Sequence, residues 1–153
     1  MNEQINILDE NNSAGAVSNA SVPVVPLPIS ILVADDDLIN RKVIERALAK
    51  LGYTCDIVDN GRKAVESANS KKYQLIFLDM MMPEMDGYEA AGHIAAQPGK
   101  LKPIIVALTA HAPTDDKEHL LTTGIDDHVT KPYKLQDIQD VIQKWEQELL
   151  SKL

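Results

Sequence analysis

The sequence predicts an α/β domain built on a parallel sheet, and three observations carry that prediction. Short apolar runs at 31–34, 75–78 and 104–108 contain no charge, as strands buried on both faces require. Longer segments of helical period lie between successive runs. Glycines such as Gly52 and Gly124 punctuate the changeovers. A chain of 153 residues with 44% hydrophobic content is long enough to bury one sizeable core and too short for two.

Taken in order, the first strand at 31–34 leads into a helix at 38–51. There Ile39, Val43, Ala47 and Leu51 recur every four residues and read as the core face, with Arg41, Lys42, Glu45 and Lys50 elsewhere. A strand at 54–58, a helix at 61–71 and the strand LIFL at 75–78 follow, then the loop MMMPEMDG. Asp86 and Glu89 have capping-box spacing and open a helix that ends before Pro98. The series closes with a strand at 104–108, a helix at 114–123 stopped by Gly124, a short strand at 128–130 and a last helix at 135–150. That last helix carries the apolar set Leu135, Ile138, Ile142, Trp145 and Leu149.

Five βα units require right-handed crossovers, which place helices on both faces of the sheet. The strands at 31, 75 and 104 read as central, whereas Asp56 in the second and His128 and Thr130 in the fifth mark edges. This gradient predicts a flavodoxin-like (βα)5 doubly wound sheet of order 2-1-3-4-5, with its crevice outside the carboxyl ends of the first and third strands.

Residues 1–29 read as a flexible N-terminal tail or interdomain linker, and 30–153 as the folded domain. Asn, Ser and Ala dominate up to residue 21, and the three prolines of VPVVPLP remove backbone donors and favour an extended path. No Lys or Arg occurs in 1–29, so no secretory or mitochondrial leader is expected. The single Cys55 and the lack of a long apolar run predict a cytoplasmic setting without membrane insertion. A net charge of -8 opposes direct binding of nucleic acid.

The predicted strand ends carry Asp35, Asp36 and Asp37, then Asp79, then Thr109, and finally Lys131 followed by Pro132. In this fold they converge. Carboxylates brought together stay ionised only if a cation compensates them. Oxygen ligands without His or Cys fit Mg²⁺, which keeps several waters and takes one or two carboxylates together with phosphate oxygens. Lys131 adds a point charge and Thr109 a hydroxyl, so the set suits stabilisation of a phosphoryl group in transfer.

DDD at 35–37, LDMMMPEMDG at 78–87, ALTA at 107–110 and KP at 131–132 together resemble the signature of CheY-like response-regulator receiver domains. The resemblance covers about residues 30–150. It implies that Asp79 is the phosphoacceptor in a two-component phosphorelay, and that Asp36, Asp79 and the Met81 backbone carbonyl ligate Mg²⁺, for which Mn²⁺ is an expected substitute. It implies that Asp35 acts through metal-bound water, that Lys131 pairs with a phosphoryl oxygen, that Thr109 follows the phosphoryl group, and that the Lys131–Pro132 bond is cis. At the position where receivers place a switching Tyr or Phe this chain has His128, a smaller ring that ionises near neutral pH. Met81 and His111 take the positions that govern phosphoryl lifetime.

The implied donor is a histidine kinase or a histidine phosphotransfer domain. The implied reader is a downstream protein on the face of the fourth helix, fifth strand and fifth helix. ILVADDDLINRKV and LTAHA are similar to receivers of hybrid sensor histidine kinases, so a phosphorelay intermediate or phosphate sink excised from such a kinase stands beside a stand-alone regulator. Self-phosphorylation from a donor and self-dephosphorylation are the only expected chemistry, with hybrid histidine kinase activity added if the chain is a fragment.

Plainer readings stand beside these. Asp37 reads as a helix N-cap rather than a ligand. His128 reads equally as a surface residue, Met80 and Met82 as gap-fillers, Cys55 as edge-strand filler, and His93 and His119 as solvated. Trp145 reads as core or as a partner anchor. A phosphatase of the haloacid-dehalogenase kind needs an acid two residues after the nucleophile, where this chain has Met81. A pseudo-receiver without phosphorylation is the remaining alternative, and intact Asp36, Asp79, Thr109 and Lys131 argue against it.

Overall fold

The computed structural model describes residues 25–110 and 123–153. Five parallel strands form one sheet of order β2-β1-β3-β4-β5: β1 (Ile31–Ala34), β2 (Asp56–Val58), β3 (Leu75–Asp79), β4 (Ile104–Thr109) and β5 (Asp127–Thr130). The helices are α1 (Leu38–Lys50), α2 (Gly61–Ser70), α3 (Gly87–Ala95), α4 (Leu135–Lys144) and α5 (Glu146–Ser151). The predicted fold class and strand order are those observed. Residues 114–122 of the predicted 114–123 helix, with His111 and His119, lie outside the described residues.

Period-two alternation divides the central strands between two cores. Ile31, Val33, Leu75, Phe77, Ile104 and Val106 face α1 and α4, while Leu32, Ala34, Ile76, Leu78, Ile105 and Ala107 face α2 and α3. A one-residue slip of a central strand would turn every side chain to the opposite core, where the neighbours are packed for a different shape, and this fixes the register. β2 and β5 are the less buried edges, as their polar residues predict.

Three expectations need correction. The second strand spans Asp56–Val58 rather than 54–58. The buried stripe of α1 is Ile44, Ala47 and Leu48, and Ile39 is 71% exposed with Val43 also exposed. A spacing of four advances about 40° per step on a helix of 3.6 residues per turn, so a strict four-residue series drifts off the core face. The single helix predicted at 135–150 breaks at Trp145, whose indole Nε1 donates to Asp127 Oδ2 at 2.8 Å on β5 while its ring packs on the core. Leu135 in that series is exposed.

The segment just before β1 also meets the domain. Leu27 and Ile29 pack against the α1-side core, and the Leu27 N–H donates to the Tyr53 hydroxyl at 2.9 Å. Cys55 packs on the same core, and burial pushes its thiol up to about 11.

Candidate functional site

Sheet register builds the site. Ala34 pairs with Leu78, so Asp35 and Asp79 leave adjacent parallel strands side by side and, by alternation, on the α1 side of the sheet. Asp35 is 0% exposed and Asp79 is 4% exposed. Oxygens of Asp35, Asp36 and Asp79 all lie within 4.8 Å of one another. Asp36 is the solvent-facing member.

Each carboxylate is held by local structure. Asp35 Oδ1 accepts the Asp37 N–H at 2.9 Å, and Arg41 Nη1 donates to the Asp35 carbonyl at 2.8 Å. Asp37 caps α1, its Oδ1 accepting from Ile39 N–H at 2.8 Å and Asn40 N–H at 3.2 Å, which satisfies two of the orphan donors of the first turn. Asp79 Oδ1 accepts the Met81 N–H at 3.2 Å. The Met81 side chain is 79% exposed, whereas Met80 and Met82 are buried under α3. The loop can turn this tightly because the Gly87 N–H donates to the Met80 carbonyl at 3.2 Å, an approach in which any Cβ would collide with the Asp79 carbonyl oxygen.

Lys131 enters from β5. Thr109 pairs with Thr130, and the Lys131 N–H donates to the Thr109 carbonyl at 2.7 Å, so the end of β4 fixes the backbone from which the ammonium reaches inward. Its Nζ lies 3.2 Å from Asp79 Oδ1 and 3.4 Å from Asp35 Oδ2. The Lys131–Pro132 bond is cis. His128 sits on β5 opposite Ala107, half-exposed, with its Nδ1 3.9 Å from Asp127 Oδ1.

One ammonium does not balance three carboxylates. Burial first, and then the neighbouring Asp35 charge, push the Asp79 carboxyl up to about 6, against the lowering effect of the Met81 N–H and Lys131. Burial pulls the Lys131 ammonium down, but Asp35 and Asp79 outweigh it and its pKa is raised. Asp35 Oδ2 is buried and accepts no hydrogen bond, its nearest cation being that ammonium. A buried carboxylate oxygen that accepts no hydrogen bond, beside two further carboxylates and a single ammonium, completes a donor set for a hard divalent cation.

Asp35, Asp36, Asp79 and Lys131 therefore come together, with Met81 and Thr109 on the backbone around them. His128 does not join the cluster. Sequence reasoning missed Arg41, read as a solvated helix residue, whose bond to the Asp35 carbonyl spans six positions and leaves no periodic signal.

Residues 31–143 match the family of the response regulator receiver domain. The chain is 38% identical over 119 residues, 75% of its length, to hybrid signal transduction histidine kinase F of Dictyostelium discoideum, and spans 11% of that relative. It is similar to the receiver domain of sensor histidine kinase PA1611 from Pseudomonas aeruginosa PAO1, solved with a magnesium ion coordinated in the active site cleft: 38% identity, TM-score 0.69, covering 76% of this chain and 96% of that one. It is also similar to a chain of the co-crystal structure of the Saccharomyces cerevisiae histidine phosphotransfer protein Ypd1 with the receiver domain of its downstream response regulator Ssk1, at 30% identity and TM-score 0.70, covering 82% and 92% of the two chains.

Proposed function

Because this chain belongs to the response-regulator receiver family, we propose that Asp79 accepts a phosphoryl group from a phosphohistidine, as one step of a phosphorelay. The observation that carries this reading is the buried Asp79 carboxylate, within 4.8 Å of Asp35 and Asp36 and 3.2 Å from the Lys131 ammonium. Asp79 Oδ attacks phosphorus, an O–P bond forms, the N–P bond breaks, and the electron pair leaves with the imidazole. Lys131 holds the arriving phosphoryl oxygens, and its charge opposes the negative charge that develops on them.

Asp36, Asp79 and the Met81 carbonyl would hold Mg²⁺, Asp35 would act on it through water, and Mn²⁺ would substitute for it. When bound, the cation neutralises the carboxylates and the phosphoryl oxygens. Thr109 follows the phosphoryl group inward, His128 takes the place of the switching aromatic residue, and Met81 and His111 set the lifetime. A downstream protein reads the result on the face that contains β5 and α4.

The donor is a histidine kinase or histidine phosphotransfer domain. Support comes from the exposed apolar side chains Leu38, Ile39 and Val43 on α1, immediately after Asp36. Within the described residues no helix is long and apolar enough to cross a membrane. The small share of its relatives that the chain spans favours a second context, a relay or sink module of a hybrid kinase.

Incubation with Mg²⁺ and acetyl phosphate should add one phosphoryl mass to the wild type and none to Asp79→Asn. Equal labelling of that variant would remove Asp79 from the role. Ile39→Glu should keep labelling by acetyl phosphate and lose labelling by a phosphorylated phosphotransfer domain, which separates docking from chemistry.

A further inference from the structure

At the end of the sheet opposite Asp79, a cavity of about 300 Å³ lies among the C-terminus of α2, the residues before β3 and the 96–103 segment. Tyr73, Ile76, Ile94 and Pro103 give it apolar walls, and Leu101 on its lining is 58% exposed, an aliphatic side chain left in water. A space of about 300 Å³ lies at the small end of ligand pockets, which run from about 300 to 1,000 Å³.

Its polar lining is one-signed. Lys71, Lys72 and Lys100 line it and no acidic residue does, on a chain whose net charge is -8. Asp56 neutralises Lys71 at 2.8 Å. Lys100 Nζ is held over the C-terminal carbonyls of α2, donating to Ala68 and Asn69 rather than to a carboxylate. Lys72 is exposed and makes no ion pair with another described residue. Gln97 adds a directional donor: it lines the cavity and its Nε2 is buried without an acceptor. A buried amide donor left unpaired is costly, and a ligand oxygen removes that cost.

We propose that this cavity binds a small organic carboxylate with a compact apolar body. The body packs on Tyr73, Ile76 and Leu101, and the carboxylate lies between the Lys72 and Lys100 ammoniums, with the Gln97 amide turning out of its buried position to donate to it. The cations choose the charge, the cavity size limits the body, and Gln97 rewards an acceptor over a methyl group.

The test is a titration of the ¹⁵N-labelled full chain with phenylacetate and, separately, with the uncharged phenylacetamide. Phenylacetate should give saturable amide shifts confined to 68–76 and 94–103, and phenylacetamide should bind at least about fivefold more weakly because it lacks the charge-assisted contact. Lys72→Glu, an exposed change that spares the fold, should weaken phenylacetate about fivefold, and Gln97→Ala should weaken it comparably. Labelling of Asp79 by acetyl phosphate should be unchanged in both. Absence of saturable shifts, shifts at other residues, or equal affinity for the acid and the amide would overturn the proposal.

Discussion

The Lys131 ammonium bridges two strands' carboxylates, 3.2 Å from Asp79 Oδ1 and 3.4 Å from Asp35 Oδ2, and both carboxylates are buried. It is a shared counter-charge in a site that holds more negative charge than it can compensate. Replacing it with methionine should leave Mg²⁺ affinity intact or tighter, because a competing cation is gone. The rate of Asp79 labelling should fall about a hundredfold with loss of a transition-state contact. Calorimetric Mg²⁺ titration and labelling kinetics check the two halves.

Asp79→Asn should stabilise the metal-free protein. The Asp79 pKa is raised by burial and Asp35 to about 6, so its stabilising protonation is fully present below the ordinary carboxylate value of about 3.9 and is lost as pH rises through 6. In chelator at pH 7.5 the variant should gain about 1–3 kcal/mol over the wild type. Urea unfolding should show that gain shrinking toward pH 4, and a gain that does not depend on pH would reject the electrostatic cause.

Asp37 directly follows the site residues Asp35 and Asp36 yet works as a cap. Its Oδ1 accepts from Ile39 and Asn40 N–H. Asp37→Ala should therefore cost about 1 kcal/mol of stability and leave Mg²⁺ binding nearly unchanged, whereas Asp36→Asn should do the reverse. Parallel melts and metal titrations distinguish them.

Two glycines of α3 should respond oppositely to alanine. A Cβ at Gly87 would meet the Asp79 carbonyl oxygen and Met80, whereas one at Gly92 meets nothing within 4 Å. Gly87→Ala should destabilise by about 1–3 kcal/mol and shift the Asp79 amide resonance. Gly92→Ala should gain up to about 1 kcal/mol from helix propensity.

Asp127 anchors the junction of α4 and α5 through Trp145 Nε1 at 2.8 Å and Lys144 Nζ at 3.0 Å. Burial pushes its carboxyl up, but the Trp145, His128 N–H and Lys144 contacts outweigh burial and hold its pKa low. The stabilisation is thus present above the ordinary value and lost as pH falls through the lowered one. Asp127→Asn should cost about 1–2 kcal/mol at neutral pH, and the difference should close below about pH 4. Thermal melts from pH 7 to pH 3 provide the measurement.

The sequence by itself determined the strand order and the acidic cluster at the strand ends. Uncharged apolar runs alternating with segments of helical period favour central parallel strands, and once β1 and β3 are neighbours the residues that follow Ala34 and Leu78 must meet. It also marked Asp37 as a cap, because an Asp just ahead of a helix has donors waiting for it. Only the tertiary structure decided which face of α1 is buried, since Ile39 and Val43 satisfy a helical pattern as well as Ile44 and Leu48 do, and packing on β1 and β3 chooses between them. The break at Trp145 and the lysine-rimmed cavity depend on residues brought together from separate elements, and the reach of Arg41 back to the Asp35 carbonyl crosses from a helix to a strand end over a spacing that no helical period marks. Local periodicity reports what one element prefers; these features arise from what a neighbouring element leaves unpaired.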